Sequence, residues 1–265
     1  MSEFTSQDLD DLWSVAERAA DVARVETLRH FRSAGLVAES KRSDFDPVTV
    51  ADRAAEAAMR EAIGALRPDD AILGEEEQAK PGTSGLTWVL DPIDGTRGYI
   101  SGTPTWGVLI AVSGTEGPIL GLIDQPYIGE RFRGGPEGAR MSGPQGERRL
   151  AVRGTKTLDQ ATLFTTFPEV GTTEERDAFR RVSPQVRLTR YGCDCYAYAL
   201  LAAGQIDLVI EAGLQAYDIQ APIAVVEAAG GIVTDWQGKP AHNGGTAIAA
   251  ATPELHAAAM ALLAE

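Results

Sequence analysis

Basic residues are the first shortage: 24 Lys and Arg stand against 38 Asp and Glu, for a formal charge of −14. No basic run offsets that field locally, so it repels nucleic acid and anionic membrane, and neither is expected as a partner. Cysteine is nearly absent. Cys193 and Cys195 flank one residue, a spacing that makes a poor disulfide, and no further Cys or His lies beside them to complete a zinc site. They read as buried thiols of a reducing compartment. The three histidines, His30, His242 and His256, lie away from every motif described below and read as surface side chains, which argues against a histidine nucleophile. Ser and Cys schemes lack a partnered base. No apolar run approaches the ~18 residues of a membrane span. The opening MSEFTSQDLDDL is acidic and lacks the apolar core of a signal peptide, so a cytoplasmic enzyme is the expectation.

What is present is ordinary globular material. The chain has 265 residues, 44% apolar and 23% charged, enough to bury a core without disulfides. Apolar residues recur at helical spacing from Ser6 to about Phe31, with Ser6, Asp8 and Asp10 reading as a capped first turn. A polar stretch, Glu39 to Asp46, precedes a second, Ala-rich helix from Thr49 to about Leu66. The runs AILG, TWVLD and WGVLIAV then read as buried strands, and GLIDQP with GERFRGG as a hairpin. Gly134 to Glu147, rich in Gly, Pro, Ser and Gln, reads as an exposed connection. From residue 151 onward strands and helices alternate to a closing helix, PELHAAAMALLAE. Such alternation predicts layered α/β packing in five layers, with helices between two sheets. Residues 1–265 are expected to form one catalytic unit, with an α+β half over 1–150 and an α/β half over 151–265.

The most informative stretch is WVLDPIDGT, Trp88 to Thr96. An apolar strand runs straight into Asp91 and Asp94, two carboxylates at a strand end that would repel each other. Pro92 fixes the backbone between them, and Gly95 permits a turn with open N–H groups. The arrangement is costly unless a cation sits between the carboxylates. An isolated DPxDG is equally a turn whose side chains cap their own backbone. Three further acidic positions carry the same ambiguity. Glu75 opens a Glu-Glu-Glu run that also reads as a solvated helix start. Asp52 has capping-box spacing to Thr49. Asp218 also reads as an N-cap of the helix APIAVVEAAGG.

Taken together, DPVTVAD, GEE, WVLDPIDGT and YDIQAPIAVVEAAGG, in that order, resemble the inositol-monophosphatase family of metal-dependent phosphatases over roughly residues 38–238. The resemblance implies a five-layer α-β-α-β-α sandwich of the sugar-phosphatase type and two to three Mg²⁺ ions. It places Glu75, Asp91 and the Ile93 carbonyl on one ion and Asp91, Asp94 and Asp218 on a second. Gly95 and Thr96, with Asp94 and Asp218 beside them, would take the phosphate. Asp52, Thr96 and Glu75 would orient the attacking water. A homodimer is expected from the family alone.

Two further segments, DGTRGYI after the phosphate loop and RYGCDCYAY from Arg190 to Tyr198, are similar to the histidinol-phosphate phosphatases within this superfamily. Glu211 lies seven residues before Asp218, where the family contacts the alcohol portion of the ester, and Asp194 lies seventeen residues earlier. Two carboxylates there favour a cationic leaving group, and an ammonium–carboxylate pair contributes roughly 1.5–3 kcal/mol. Asp194 also reads as a cap for the helix at Cys195, and Arg190 either touches substrate or pairs with an acidic side chain. Histidinol phosphate is therefore the first expected substrate, in histidine biosynthesis. Inositol 1-phosphate or a related polyol phosphate is the alternative, and a catalytically silent binding protein on the same fold is the remote one.

Overall fold

Hydrophobic periodicity builds the outer helical layer of the structure, a computed structural model that describes residues 5–40, 47–167, 169 and 171–265. Helix α1 (Ser6–His30) buries Leu9, Leu12, Val15, Ala16, Ala19, Ala20 and Ala23 on one face. Its cap is Thr5 rather than Ser6: the Thr5 hydroxyl accepts the Asp8 N–H at 3.2 Å, and the Asp8 carboxylate accepts the Thr5 N–H at 2.9 Å. Short strands β1 (Ala38–Ser40) and β2 (Pro47–Thr49) pair antiparallel. Of the polar stretch expected between the first two helices, residues 39–40 are therefore strand, and 41–46 lie outside the described residues. Helix α2 (Val50–Leu66) follows, with Thr49 as its cap.

A seven-stranded sheet comes next, in spatial order β3 (Ala71–Gly74), β4 (Thr87–Asp94), β5 (Gly107–Gly114), β6 (Gly117–Gln125), β7 (Glu130–Gly135), β8 (Gly138–Gly143) and β9 (Gly146–Arg149). Only β3 and β4 run parallel; the remaining neighbours are antiparallel. A five-residue helix, α3 (Thr96–Ile100), leaves the end of β4. The connection expected over 134–147 is corrected here: most of it forms β8 and the turns flanking it. Its glycines turn the chain tightly instead of loosening it, with Gly138 and Gly146 at φ 93° and 96°.

The second sheet has five strands, ordered β11 (Leu188–Tyr191), β10 (Thr162–Thr165), β12 (Leu208–Leu214), β14 (Gly245–Ala250) and β13 (Ile232–Thr234). Helices α4 (Thr173–Val182), α5 (Cys195–Ala202), α6 (Ala216–Ala228) and α7 (Pro253–Leu263) complete the chain. Three main cores hold the five layers together. Leu12, Met59 and Ile63 of α1 and α2 pack on Trp88, Leu90, Val108 and Ile110 of the first sheet. Tyr198, Leu201, Ile219 and Val225 of α5 and α6 fill the space between the sheets, against Val89, Leu109, Ile123 and Val209. Phe179, Val182, Leu255 and Ala259 of α4 and α7 cover the outer face of the second sheet. The expected α-β-α-β-α order is the observed one.

Two features of this packing aim the acidic residues. Side chains alternate along β4, so Trp88 and Leu90 face α1 and α2 while Val89 and Asp91 face the central helices. Helix α6 also lies unusually close to the sheet. A Cβ on Gly121 or Gly134 would fall 2.4 Å from backbone atoms of Ala221 and Val225, respectively, so glycine at these sites lets the helix, and Asp218 at its start, approach β4.

Candidate active site

The end of β4 is irregular in the way its sequence suggests. Register with β5 slips between Asp91 and Asp94, and the Asp91 carboxylate accepts the Ile93 N–H at 3.0 Å. Gly95 then takes φ 84°, ψ 39° and opens α3. Asp94 reaches toward the second half of the molecule, where its Oδ2 accepts the Cys195 N–H at 2.6 Å from the start of α5. Asp218 arrives from α6. It is the third residue of that helix rather than its cap: Gln215 is the cap, and Asp218 Oδ2 accepts the Gln215 N–H at 2.7 Å.

Strand end and helix start thus bring Asp91, Asp94 and Asp218 together, with one carboxylate oxygen from each lying within 4.8 Å of the others. Burial pushes the Asp91 carboxyl well above its usual range, and Glu75, Asp94 and Asp218, all of the same sign, add to the shift. Asp94 is raised by burial and then by Asp194. Asp218 is raised to about 7, again chiefly by burial. Such a cluster is stable only when protonated or when a cation neutralises it, and its all-oxygen donor set suits a hard divalent ion. The residues present therefore fit the Mg²⁺ that the sequence implies. The Ile93 carbonyl, beside the cluster in sequence, accepts the Thr96 hydroxyl at 3.1 Å and has a second lone pair. Glu75 lines the same cavity but stands outside the three-carboxylate group.

Asp52 caps α2 and also reaches the loop after β4. Its Oδ2 accepts the Thr49 N–H at 2.8 Å and the Thr49 hydroxyl at 2.6 Å, which makes a capping box. Its other oxygen faces the Thr96 hydroxyl at 3.4 Å. Burial raises its pKa to about 6.

Behind Glu75 sits a carboxylate that sequence reading missed. Glu56 is fully buried on α2 and accepts the N–H groups of Glu76 and Glu77 at 2.7 and 3.1 Å, with Arg60 Nε donating to it at 2.7 Å. A Cβ on Gly74 would lie 2.1 Å from its carboxylate, so Gly74 lets the turn wrap around Glu56. The Asp52, Glu56, Arg60 spacing places all three on one helix face, and that was the available signal.

Beyond the metal cluster the cavity, about 320 Å³, continues between the N-terminus of α5 and the end of β12. Glu211 is buried there and held from two sides: it accepts the Thr166 N–H at 3.1 Å and hydroxyl at 2.5 Å, and the Tyr198 hydroxyl at 3.1 Å. Tyr198 and Thr166 were not foreseen; Tyr198 lies one helical turn from Asp194. Asp194 does not cap α5 with its side chain: the N–H groups of Tyr196 and Ala197, which a cap would accept, go to the Cys193 and Asp194 carbonyls at 2.9 and 3.1 Å, and the Cys195 N–H goes to Asp94. Its carboxylate packs on the phosphate loop instead, so a Cβ on Gly95 would lie 2.8 Å from it. Burial and then Glu211 raise Asp194 to about 7, while Arg97 pulls in the opposite direction.

The alternatives for Arg190 both fail in placement. It is exposed on edge strand β11, does not line the cavity, and makes no ion pair among the described residues. His256 is also corrected. It is buried rather than superficial, bonded to the Thr234 hydroxyl at 2.8 Å, with its pKa lowered by burial. Cys193 and Cys195 are free thiols, half-buried and buried.

The inositol monophosphatase family profile matches residues 8–265. The chain is 43% identical over 240 residues to the bifunctional phosphatase IMPL2, chloroplastic, of Arabidopsis thaliana, covering 90% of this chain and 68% of that protein. It is 35% identical over 257 residues to the histidinol-phosphatase of Streptomyces coelicolor, covering 94% of each. An inositol monophosphatase from Zymomonas mobilis superposes with a TM-score of 0.85 at 36% identity, over 99% of this chain and 100% of that one.

Proposed function

The chain belongs to the inositol monophosphatase family and is a phosphomonoesterase, and on that premise we propose that it is a Mg²⁺-dependent histidinol-phosphate phosphatase acting in histidine biosynthesis. Asp91, Asp94 and Asp218, with Glu75 and the Ile93 carbonyl, hold two to three ions. Bound Mg²⁺ neutralises the carboxylates, makes water easier to ionise, and stabilises charge on the attacking and leaving oxygens. The remaining work falls to the chain itself. The N–H groups of Gly95 and Thr96 hold the phosphate, since Gly95 leaves the loop without a side chain that would cover them. Thr49 fixes one oxygen of Asp52, so the other orients the Thr96 hydroxyl. That hydroxyl and Glu75 align the water; Glu75 takes its proton as the water oxygen bonds to phosphorus, the ester P–O bond breaks, and the departing oxygen takes a proton from solvent.

The observation that carries the substrate reading is the second carboxylate pair. Asp194 and Glu211 line the cavity next to the metal cluster, and Asp194 is left unused by helix capping. Histidinol offers an ammonium to that pair, whereas inositol offers only hydroxyls. The 35% identity to a histidinol-phosphatase supports the same choice. The second reading, an inositol 1-phosphate phosphatase, is supported by the likeness to the Zymomonas mobilis enzyme. The whole chain is proposed to act as one catalytic unit, as a homodimer in the cytoplasm. Phosphate release with Mg²⁺ from histidinol phosphate, inositol 1-phosphate and adenosine bisphosphate tests this. Release chiefly from histidinol phosphate is expected, and release from the inositol ester alone would defeat the reading. Turnover of none of the three would favour a silent binding protein.

A further inference from the structure

Phe167 follows Thr166, one of the two residues that hold Glu211, and lies on the cavity wall with 36% of its surface exposed. A ring exposed at that level inside a cavity lined by carboxylates offers its face to whatever enters the cavity. In this structure part of that face is covered by Arg97, whose guanidinium carbon stands 4.9 Å from the ring centroid. Arg97 lines the same cavity, and its charge also reaches Asp194. The cavity beside the metal cluster therefore combines an aromatic face, a planar cation lying over it, and two carboxylates. A planar cation over a ring is held by the ring quadrupole, so the site is already matched in shape and charge to a flat, positively charged group.

We infer that Phe167 is a specificity-determining residue whose ring receives the flat heteroaromatic part of the leaving alcohol, with Arg97 yielding part of the ring face as that group enters. This deepens the histidinol-phosphate reading and rests on it. Asp194 and Glu211 take the ammonium, and Phe167 sorts leaving groups by planarity. An aliphatic polyol has hydroxyls pointing to both sides of its carbon ring and gains nothing from that surface. The Phe167 position should therefore discriminate between esters that the metal and phosphate groups treat alike.

Phe167→Leu keeps an apolar side chain of similar reach and removes the π face, and Phe167→Tyr restores it. Calorimetry with Mg²⁺ and phosphate present would measure binding of L-histidinol, and steady-state assays would compare histidinol phosphate with glycerol 2-phosphate. In Phe167→Leu, histidinol binding should weaken about threefold to tenfold. The KM for histidinol phosphate should rise by a similar factor with kcat kept, and glycerol 2-phosphate turnover should not change. Phe167→Tyr should return both values to within about twofold of the parent. Equal effects on the two esters, no effect on either, or no binding of histidinol to the parent protein would overturn the inference. The two readings fail separately. If the parent binds histidinol in a Phe167-dependent way but does not hydrolyse its phosphate, the substrate reading falls and the stacking surface stands. If it hydrolyses histidinol phosphate and Phe167→Leu is silent, the reverse holds.

Discussion

At the scale of single residues, each carboxylate of the site is defined by what surrounds it. Asp91 is buried and feels four like charges, those of Glu75, Asp94, Asp218 and Asp52, so its removal should be felt by the whole cluster. Asp91→Asn is expected to lose Mg²⁺-dependent phosphate release entirely while keeping its far-UV circular dichroism; measurable turnover would remove Asp91 from the metal site. Asp194 should act on one kind of substrate only. Asp194→Asn preserves shape against Gly95 but loses the charge, so the KM for histidinol phosphate should rise about tenfold to a hundredfold. Inositol 1-phosphate serves as the control and should be unaffected. Gly95 is constrained twice, by its left-handed backbone and by Asp194 at 2.8 Å from any Cβ. Gly95→Ala should cost about 1–2 kcal/mol from backbone conformation alone. A urea titration would read that cost, and the displaced Asp194 and phosphate loop should lower activity as well.

At the scale of elements, the site depends on how helices are fastened to the first sheet. Helix α1 is tied down by a buried ionic network. Asp124 on β6 is fully buried and accepts from Arg24 Nε at 3.0 Å and from Arg131 Nε at 2.8 Å, and Arg131 reaches back to Asp21 at 2.8 Å and to Glu17. Removing Arg131 leaves Asp124 with one partner. Arg131→Ala should therefore destabilise the protein by about 3 kcal/mol, the lower end for a broken buried pair because Arg24 remains. Chemical denaturation measures this, and a loss below about 0.5 kcal/mol, the size of an ordinary surface change, would mean that the network is dispensable. Helix α2 instead positions residues of the proposed site: it brings Asp52 to Thr96 and Glu56 to the turn that follows Glu75. Glu56→Gln keeps the volume but weakens two N–H···carboxylate bonds, and support of that kind is typically worth about 10–100-fold in metal affinity or activity. Mg²⁺ titration of activity should show the midpoint moving upward.

At the scale of the whole molecule, the site joins the two sheets. Asp91 and Asp94 come from the seven-stranded sheet, Glu211 from the five-stranded sheet, and Asp218 and Cys195 from the helices between them. Neutralising the cluster should therefore stabilise the fold as well as enable chemistry. The direction with pH follows from the raised carboxyls. Asp52 at about 6 and Asp194 and Asp218 at about 7 all exceed the ordinary 3.8, so without metal the folded chain binds more protons than the unfolded one between those limits. Stability is then highest below about pH 4 as far as these groups are concerned, and their contribution is lost as pH rises to about 7. In the presence of a chelator, their contribution to Tm should fall between pH 5 and pH 8. On the proposed reading Mg²⁺ takes the folded state and its ionised carboxylates, so it should raise Tm more at pH 8 than at pH 5. A thermal scan at both values checks the sign; equal Mg²⁺ shifts would count against the cluster as the binding site.

Local sequence determined much of this protein, because the relevant forces act over a few residues. Helix periodicity, the strand runs around Trp88, the turn chemistry of Asp91 to Thr96 and the capping box of Thr49 and Asp52 are all visible without tertiary contacts. So is the five-layer order, since it follows from the alternation of elements. Tertiary structure decided what local chemistry leaves degenerate. A glycine-rich stretch is read as a loop until β8 is found paired within it, and His256 reads as exposed until α7 packs on the second sheet. Asp194 reads as a cap until the fold turns its carboxylate onto Gly95, a hundred residues away in sequence. Glu56 and Phe167 carry no motif at all. Burial and hydrogen-bond competition depend on which distant groups arrive first at a shared space, and only the folded chain settles that.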